Sequence, residues 1–200
     1  MSPSDRLEIL KSICNKCHNC ALGNTRKNLV FGEGPIVPTL MSVAESPGAE
    51  EDASGRPFQG RSGKFYRQLL QAIGLNPEKD VYMTNVVLCR PPNNRPPEDE
   101  EINECINFLK KQIEIIQPRI ILLLGRTAVK GLFPEYAKTP LDRLRKDSKN
   151  NQLIYQGIKT LVTYHPSALL RDPSRRIGAE EDFTYLRNIL GKQICAVELI

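Results

Sequence analysis

The stretch DEEINECINFLKKQIEIIQPRIILLLG, residues 99–125, decides the fold class. Ile102, Cys105, Ile106, Leu109, Ile113 and Ile116 recur at helical spacing and make one apolar stripe, so residues 99–116 read as an amphipathic helix. Residues 119–125, RIILLLG, are apolar without alternation, which is the pattern of a strand buried on both faces. A covered strand directly after an amphipathic helix is half of a parallel β-α-β unit.

The same alternation extends in both directions. Upstream, residues 39–44 and 81–88 read as strands, separated by a helix over residues 62–73 that carries Phe65, Leu69, Leu70 and Ile73. Downstream come a short helix at 127–133 and a basic polar excursion at 141–151. Two strands around Gly157 and a last helix over about residues 180–194 follow. Near the N-terminus, Leu7, Leu10 and Cys14 suggest a short helix with Ser4 as its cap. The expected architecture is α/β: a single-domain, three-layer α/β/α sandwich over residues 1–200 with a mostly parallel central sheet. A Cys-rich segment, residues 1–34, leads into it. In such sheets ligands sit at the carboxyl ends of the strands. The loops expected there are 45–60, 89–95 and 165–176.

The chain has 200 residues and a formal net charge of +5, with 40% hydrophobic and 26% charged residues. That mix is globular, and it excludes collagen-like, coiled-coil and disordered classes. No apolar run approaches the roughly 20 residues of a membrane span, and the first residues lack the apolar core of a signal peptide. A cytoplasmic protein is expected. The mild positive charge tilts the reading toward nucleic acid without deciding it.

Six cysteines in a reducing compartment argue against a disulfide framework. Cys14, Cys17 and Cys20 form two overlapping C-x-x-C units, while Cys89 and Cys105 fall in one strand-loop-helix unit. Thiolate quartets suit zinc or an iron–sulfur cluster. Cys105 also fits a core position, and Cys195 reads as packed. In the loops, Phe58 is a large aromatic among Gly and Pro, either a core cap or a platform for a ring. Asn85 ends a strand with a donor and an acceptor to satisfy. His165, one of two histidines, opens a loop after a strand. The acids Glu50, Glu51 and Asp52 read as solvated.

Taken in order, the motifs Cys17-x-x-Cys20-x-Leu22, Phe31-Gly32-Glu33-Gly34 and Glu45-Ser46-Pro47-Gly48-x-x-Glu51-Asp52 resemble the family 4 uracil-DNA glycosylases. So do Gly55-Arg56-Pro57-Phe58, Thr84-Asn85-Val86-Val87-x-Cys89-Arg90-Pro91-Pro92-x-Asn94-Arg95 and His165-Pro166-Ser167-x-Leu169-Leu170-Arg171. These are iron–sulfur enzymes of bacteria and archaea that excise uracil from DNA. The resemblance implies a [4Fe–4S] cluster on Cys17, Cys20, Cys89 and Cys105, leaving Cys14 spare. It implies that Phe58 stacks on a flipped uracil, Asn85 reads its edge, and His165 donates to the departing base. Glu45 then positions water or supports the cationic sugar, with Ser46 and Gly48 beside the substrate. Leu169 or Leu170, more so Leu169, wedges into the duplex. Arg171, Arg175 and Arg176 hold phosphates. The partner is uracil-containing DNA, single- or double-stranded, bound by a monomer. No lysine lies in these motifs, so neither a Schiff base nor strand cleavage is expected. Two positions depart from the family pattern: Ala44 stands where Gly is usual, and Leu144-Arg145-Lys146 replaces a Val-Arg-Gly-like stretch. Two rival readings are a uracil-DNA-binding relative without turnover and a metal-bearing DNA-binding module.

Overall fold

Four covered apolar strands and the helices between them build the molecule, and the computed structural model describes residues 1–191 of it. In chain order the elements are α1 (Pro3–Asn15), α2 (Leu22–Thr25), β1 (Leu40–Ala44), α3 (Ala49–Ser54) and α4 (Arg61–Ala72). Then come β2 (Val81–Asn85), α5 (Asp99–Ile116), β3 (Ile120–Leu124), α6 (Arg126–Leu132) and α7 (Leu141–Lys149). The chain continues through β4 (Ile154–Tyr155), β5 (Ile158–Thr163), α8 (Pro166–Arg171) and α9 (Arg176–Leu190).

The sheet order is β2-β1-β3-β5-β4. β2, β1, β3 and β5 are parallel, and β4 pairs antiparallel with β5. Strand residues alternate between two cores, as their two-residue period requires. Met41, Val43, Ile121, Leu123 and Val162 face α1, α5 and α6. Leu40, Ile120, Leu122, Leu124 and Leu161 face α4 and α9. This is the expected three-layer α/β/α architecture. Because β1 has β2 on one side and β3 on the other, the chain leaves its carboxyl end at a topological switch point, where crevices form.

Several expectations need correction. The cap of α1 is Ser2, not Ser4: its Oγ accepts from Asp5 N, and its own N–H donates to Asp5 Oδ2. Loop 45–60 contains α3, and the loop after His165 contains α8. β2 ends at Asn85, three residues short of Leu88. The last helix starts at Arg176 rather than near residue 180, and its expected end at 194 lies outside the described residues, as does Cys195.

The largest correction concerns residues 141–151. Residues 141–149 form α7, with Leu144, Arg145 and Ser148 buried. Arg145 is 6% exposed. Its Nε donates to Asp182 Oδ2 at 2.6 Å, and its Nη1 donates to Asp142 Oδ1 at 3.0 Å and Tyr164 Oη at 2.8 Å. Lys149 and Thr163 complete the coordination of Asp182. Fully paired, this charge is tolerated; with one partner gone, the remainder is stranded. Arg145→Ala should therefore cost about 3–5 kcal/mol in urea unfolding. Arg143→Ala, which removes an exposed i,i+4 pair with Asp147, should cost less than about 0.5 kcal/mol.

Candidate active site and cysteine cavity

A cleft of about 260 Å³ opens at the carboxyl ends of the parallel strands. β1 delivers Ala44, Glu45 and Ser46, β2 delivers Asn85, and the turn after β5 delivers His165. Phe58 and Gly48 come from the loop after β1. The structure thus brings Glu45, Ser46, Gly48, Phe58, Asn85 and His165 into one cavity wall.

Phe58 is 7% exposed and backed by an aromatic row. Its ring lies 5.2 Å from that of Tyr66, which is followed by Phe183 at 6.2 Å. Tyr66 is anchored by a 2.6 Å bond between its hydroxyl and Ser42 Oγ. Phe58 has φ 56°, a left-handed conformation unusual for an aromatic residue. Gly63 makes this possible, because a Cβ there would stand 2.3 Å from the Phe58 carbonyl carbon.

Asn85 is 3% exposed and lies in register with Ala44. Its amide makes no hydrogen bond within the described residues, so both functions are unspent at the cleft. Ala44 sits in ordinary paired strand, packs in the core on the α4 side, and borders the cleft. Glu45 Oε2 accepts a hydrogen bond from Thr127 Oγ1, which fixes the carboxylate.

His165 caps α8 with its own ring: Ser167 N donates to Nδ1 at 3.2 Å. Ser167 Oγ lies 2.8 Å from the same nitrogen and can donate to it, whereas a backbone N–H is only a donor; with Nδ1 accepting, a neutral ring carries its proton on Nε2. Burial, reinforced by the positive charge of Arg171, pulls the imidazole down to about 4, against an opposing pull from Glu51. At pH 7 His165 is therefore neutral, with Nε2–H as its donor.

On the α1 and α5 side of the sheet, Cys14, Cys17, Cys20, Cys89 and Cys105 line a second, largely apolar cavity with Leu29, Val87, Leu88 and Phe108. Arg26 Nη1 donates to Cys89 Sγ at 3.1 Å, and Leu88 N to Cys105 Sγ at 3.3 Å. Burial pushes the Cys14 and Cys105 thiols up to about 12. All five are free of disulfides. Among the described residues, no three Cys, His, Asp or Glu side chains stand at single-ion spacing. The donor set suits a soft, thiolate-bound group. Charge-assisted N–H bonds to sulfur are what such ligands accept.

A model of the Uracil DNA glycosylase superfamily matches residues 31–190. A type-4 uracil-DNA glycosylase of Thermotoga maritima is 44% identical over 179 residues, 88% of this chain and 90% of the relative. One of Sulfurisphaera tokodaii is 42% identical over 188 residues, 92% and 85%. This chain belongs to the type-4 uracil-DNA glycosylases. A type-5 uracil-DNA glycosylase of Pyrobaculum aerophilum is more distant, 32% identical over 150 residues.

Against the glycosylase motifs, the basic loop needs one revision. Leu169 is 1% exposed and packs with Tyr164 and Ala179, because the first turns of α8 dock on the domain. The half-buried Leu170 is the leucine left near the surface. Arg171 is exposed, without an ion pair or hydrogen bond among the described residues. Arg175 is exposed but donates to Asp172 Oδ2 at 2.9 Å. Arg176 is half-buried beside Phe65 and Leu69, with Nε unpartnered.

Four residues at or behind the cleft were given no role by the sequence reading. Thr127 sits at the start of α6, and Asn94 joins the cleft wall from the loop after β2. Glu51 and Asp52, taken as solvated, are staples. Glu51 accepts from Gly48 N at 3.0 Å and from Gln59 N and Gly60 N at 2.8 Å. Asp52 is 3% exposed and accepts from Lys27 N at 2.9 Å and Asn28 N at 3.3 Å. An acidic run reads as surface until backbone donors are seen around it. Glu51→Ala should raise hydrogen exchange at the Gln59 and Gly60 amides by about tenfold or more, the equivalent of one net hydrogen bond. Unchanged protection would show that the loop is held by other means.

Proposed function

We propose that this chain removes uracil from DNA as a single-domain, cytoplasmic monomer, acting on single- or double-stranded substrate and leaving an abasic site. The observation that carries this reading is the cleft itself, where an aromatic platform, an unspent amide and a neutral imidazole donor converge.

Uracil inside a duplex must first be flipped out, at a cost of a few kcal/mol. Phe58 offsets this by stacking on the ring, worth about 1–3 kcal/mol. Asn85 Nδ2 donates to O4 of the base, and Oδ1 accepts from N3–H. Cytosine reverses both polarities, and a site that leaves buried polar groups unpaired rejects its ligand strongly. Leu170 replaces Leu169 as the wedge for the vacated space. Arg171, Arg175 and Arg176 hold phosphates, and Arg175 must exchange Asp172 for DNA.

Cleaving the glycosidic bond leaves a cationic sugar and a uracil anion. Charge grows on O2, and the His165 Nε2–H meets it there. A neutral donor that strengthens with the developing charge stabilises the transition state more than the ground state. Glu45, aimed by Thr127, positions water at C1′ and supports the sugar cation. Ser46 and Gly48 complete the wall beside the base.

The [4Fe–4S] cluster is assigned to Cys17, Cys20, Cys89 and Cys105, with Cys14 as a packed neighbour. When bound it supplies a structural crosslink between the N-terminal segment and the β2–α5 connection.

Three results are expected. His165→Ala should lower single-turnover excision by about 10²–10³ while leaving uracil-DNA affinity nearly unchanged; near-normal excision would make His165 structural. Asn85→Asp should lose discrimination against cytosine, because a carboxylate accepts from N4–H₂; retained discrimination removes Asn85 from base reading. Anaerobically purified protein should hold iron and sulfide in equal amounts, lost in Cys89→Ala and kept in Cys14→Ala. Stoichiometric zinc without sulfide would overturn the cluster.

A further inference from the structure

Phe58 occupies a left-handed backbone conformation that a non-glycine residue keeps only when its surroundings impose it. Gly63 leaves the room, but room alone does not hold the residue there. What grips the backbone is Arg67 of α4. Its Nε donates to the Phe58 carbonyl at 3.2 Å and its Nη2 to the Pro57 carbonyl at 3.4 Å.

The guanidinium is itself aimed from the far side. Its side chain is 17% exposed. Nη1 donates to Glu78, and Nη2 lies 3.4 Å from Glu33 Oε1. Glu33 is pinned in turn by two bonds from Arg56, each 2.9 Å, and by its backbone bridge to Met83 on β2. One planar fork thus joins two loop carbonyls to carboxylates from two other segments. Arg67 is absent from the cleft wall, so whatever it does to substrate passes through Phe58.

We propose that Arg67 is a positioning residue for base recognition, holding the Phe58 ring in the plane that receives the flipped base. The proposal rests on the stacking role given to Phe58 above. Its requirement is geometric: donors must leave one planar group in divergent directions, which a lysine ammonium on a flexible stem does not reproduce.

The test is a double-mutant cycle on Arg67 and Phe58. Single-turnover excision is measured against enzyme concentration, with inhibition by free uracil as a second readout. Arg67→Ala and Arg67→Lys should each raise the half-saturating concentration and the uracil inhibition constant by about fivefold to tenfold, the lower end of what one base–aromatic stack is worth. The plateau rate should change less than about threefold, since the charge-stabilising groups stay in place. In a Phe58→Ala background neither Arg67 substitution should add to the loss. Arg67→Lys keeps the charge, so it guards against misfolding of the alanine variant. The proposal is overturned if both Arg67 variants behave as wild type while Phe58→Ala is impaired. It is also overturned if the losses multiply, because Arg67 would then act independently of Phe58. A Phe58→Ala enzyme with wild-type uracil inhibition would instead remove the stacking role and the proposal with it.

Discussion

The carboxylate of Glu51 accepts three backbone N–H groups, from Gly48, Gln59 and Gly60, and so closes the loop after β1 into a ring. A carboxylate acceptor makes these bonds stronger than neutral ones. The ring does two things at once. It keeps Ser46 and Gly48 along one wall of the cleft, and it brings Gly60 to the start of α4, where Gly63 lets Phe58 lie against the helix. The parallel sheet supplies the switch point, but without this ring the loop leaving β1 would have no fixed path across it.

The same loop is tied to the cysteine-bearing segment. Asp52 takes the amides of Lys27 and Asn28, and Asn28 Nδ2 returns a 2.8 Å bond to the Asp52 carbonyl. Farther along, Val30 N bonds Leu88 O at 3.0 Å, and Glu33 bridges Met83. Residues 26–34 therefore form a strap from the cysteine cavity, along β2, to the platform loop. The cluster proposed above would fix one end of this strap, and at the other end Glu33 lies against Arg67, which donates to the Phe58 carbonyl.

The sheet was legible because its signal is redundant. Uninterrupted apolar strands such as residues 120–124 and the full stripe of α5 each point to the same architecture. The cleft was legible because Asn85 and His165 stand at strand ends and Phe58 lies in the loop after β1, where the α/β topology already places ligands. What stayed hidden depends on partners distant in sequence. Glu51 and Asp52 look like surface acids because their partners are backbone amides, which carry no side-chain signature. Residues 141–149 looked like a polar excursion because the counter-charge for Arg145, Asp182, lies 37 residues away. Leu169 and Leu170 are identical in type, and only the docking of α8 decides which one is buried.

The chemistry turns on one proton. The backbone N–H of Ser167 donates to Nδ1 of His165, burial keeps the ring neutral, and the remaining proton on Nε2 is the one proposed to meet the departing base. The chain has two histidines, which makes the test direct. In ¹⁵N-histidine-labelled protein, nitrogen NMR should show His165 as the Nε2–H tautomer from pH 6 to 8, with protonation only on approach to about pH 4. His18→Gln assigns the resonances. A His165 ring that titrates near its ordinary value of 6.5, or carries its proton on Nδ1, would contradict the neutral-donor account.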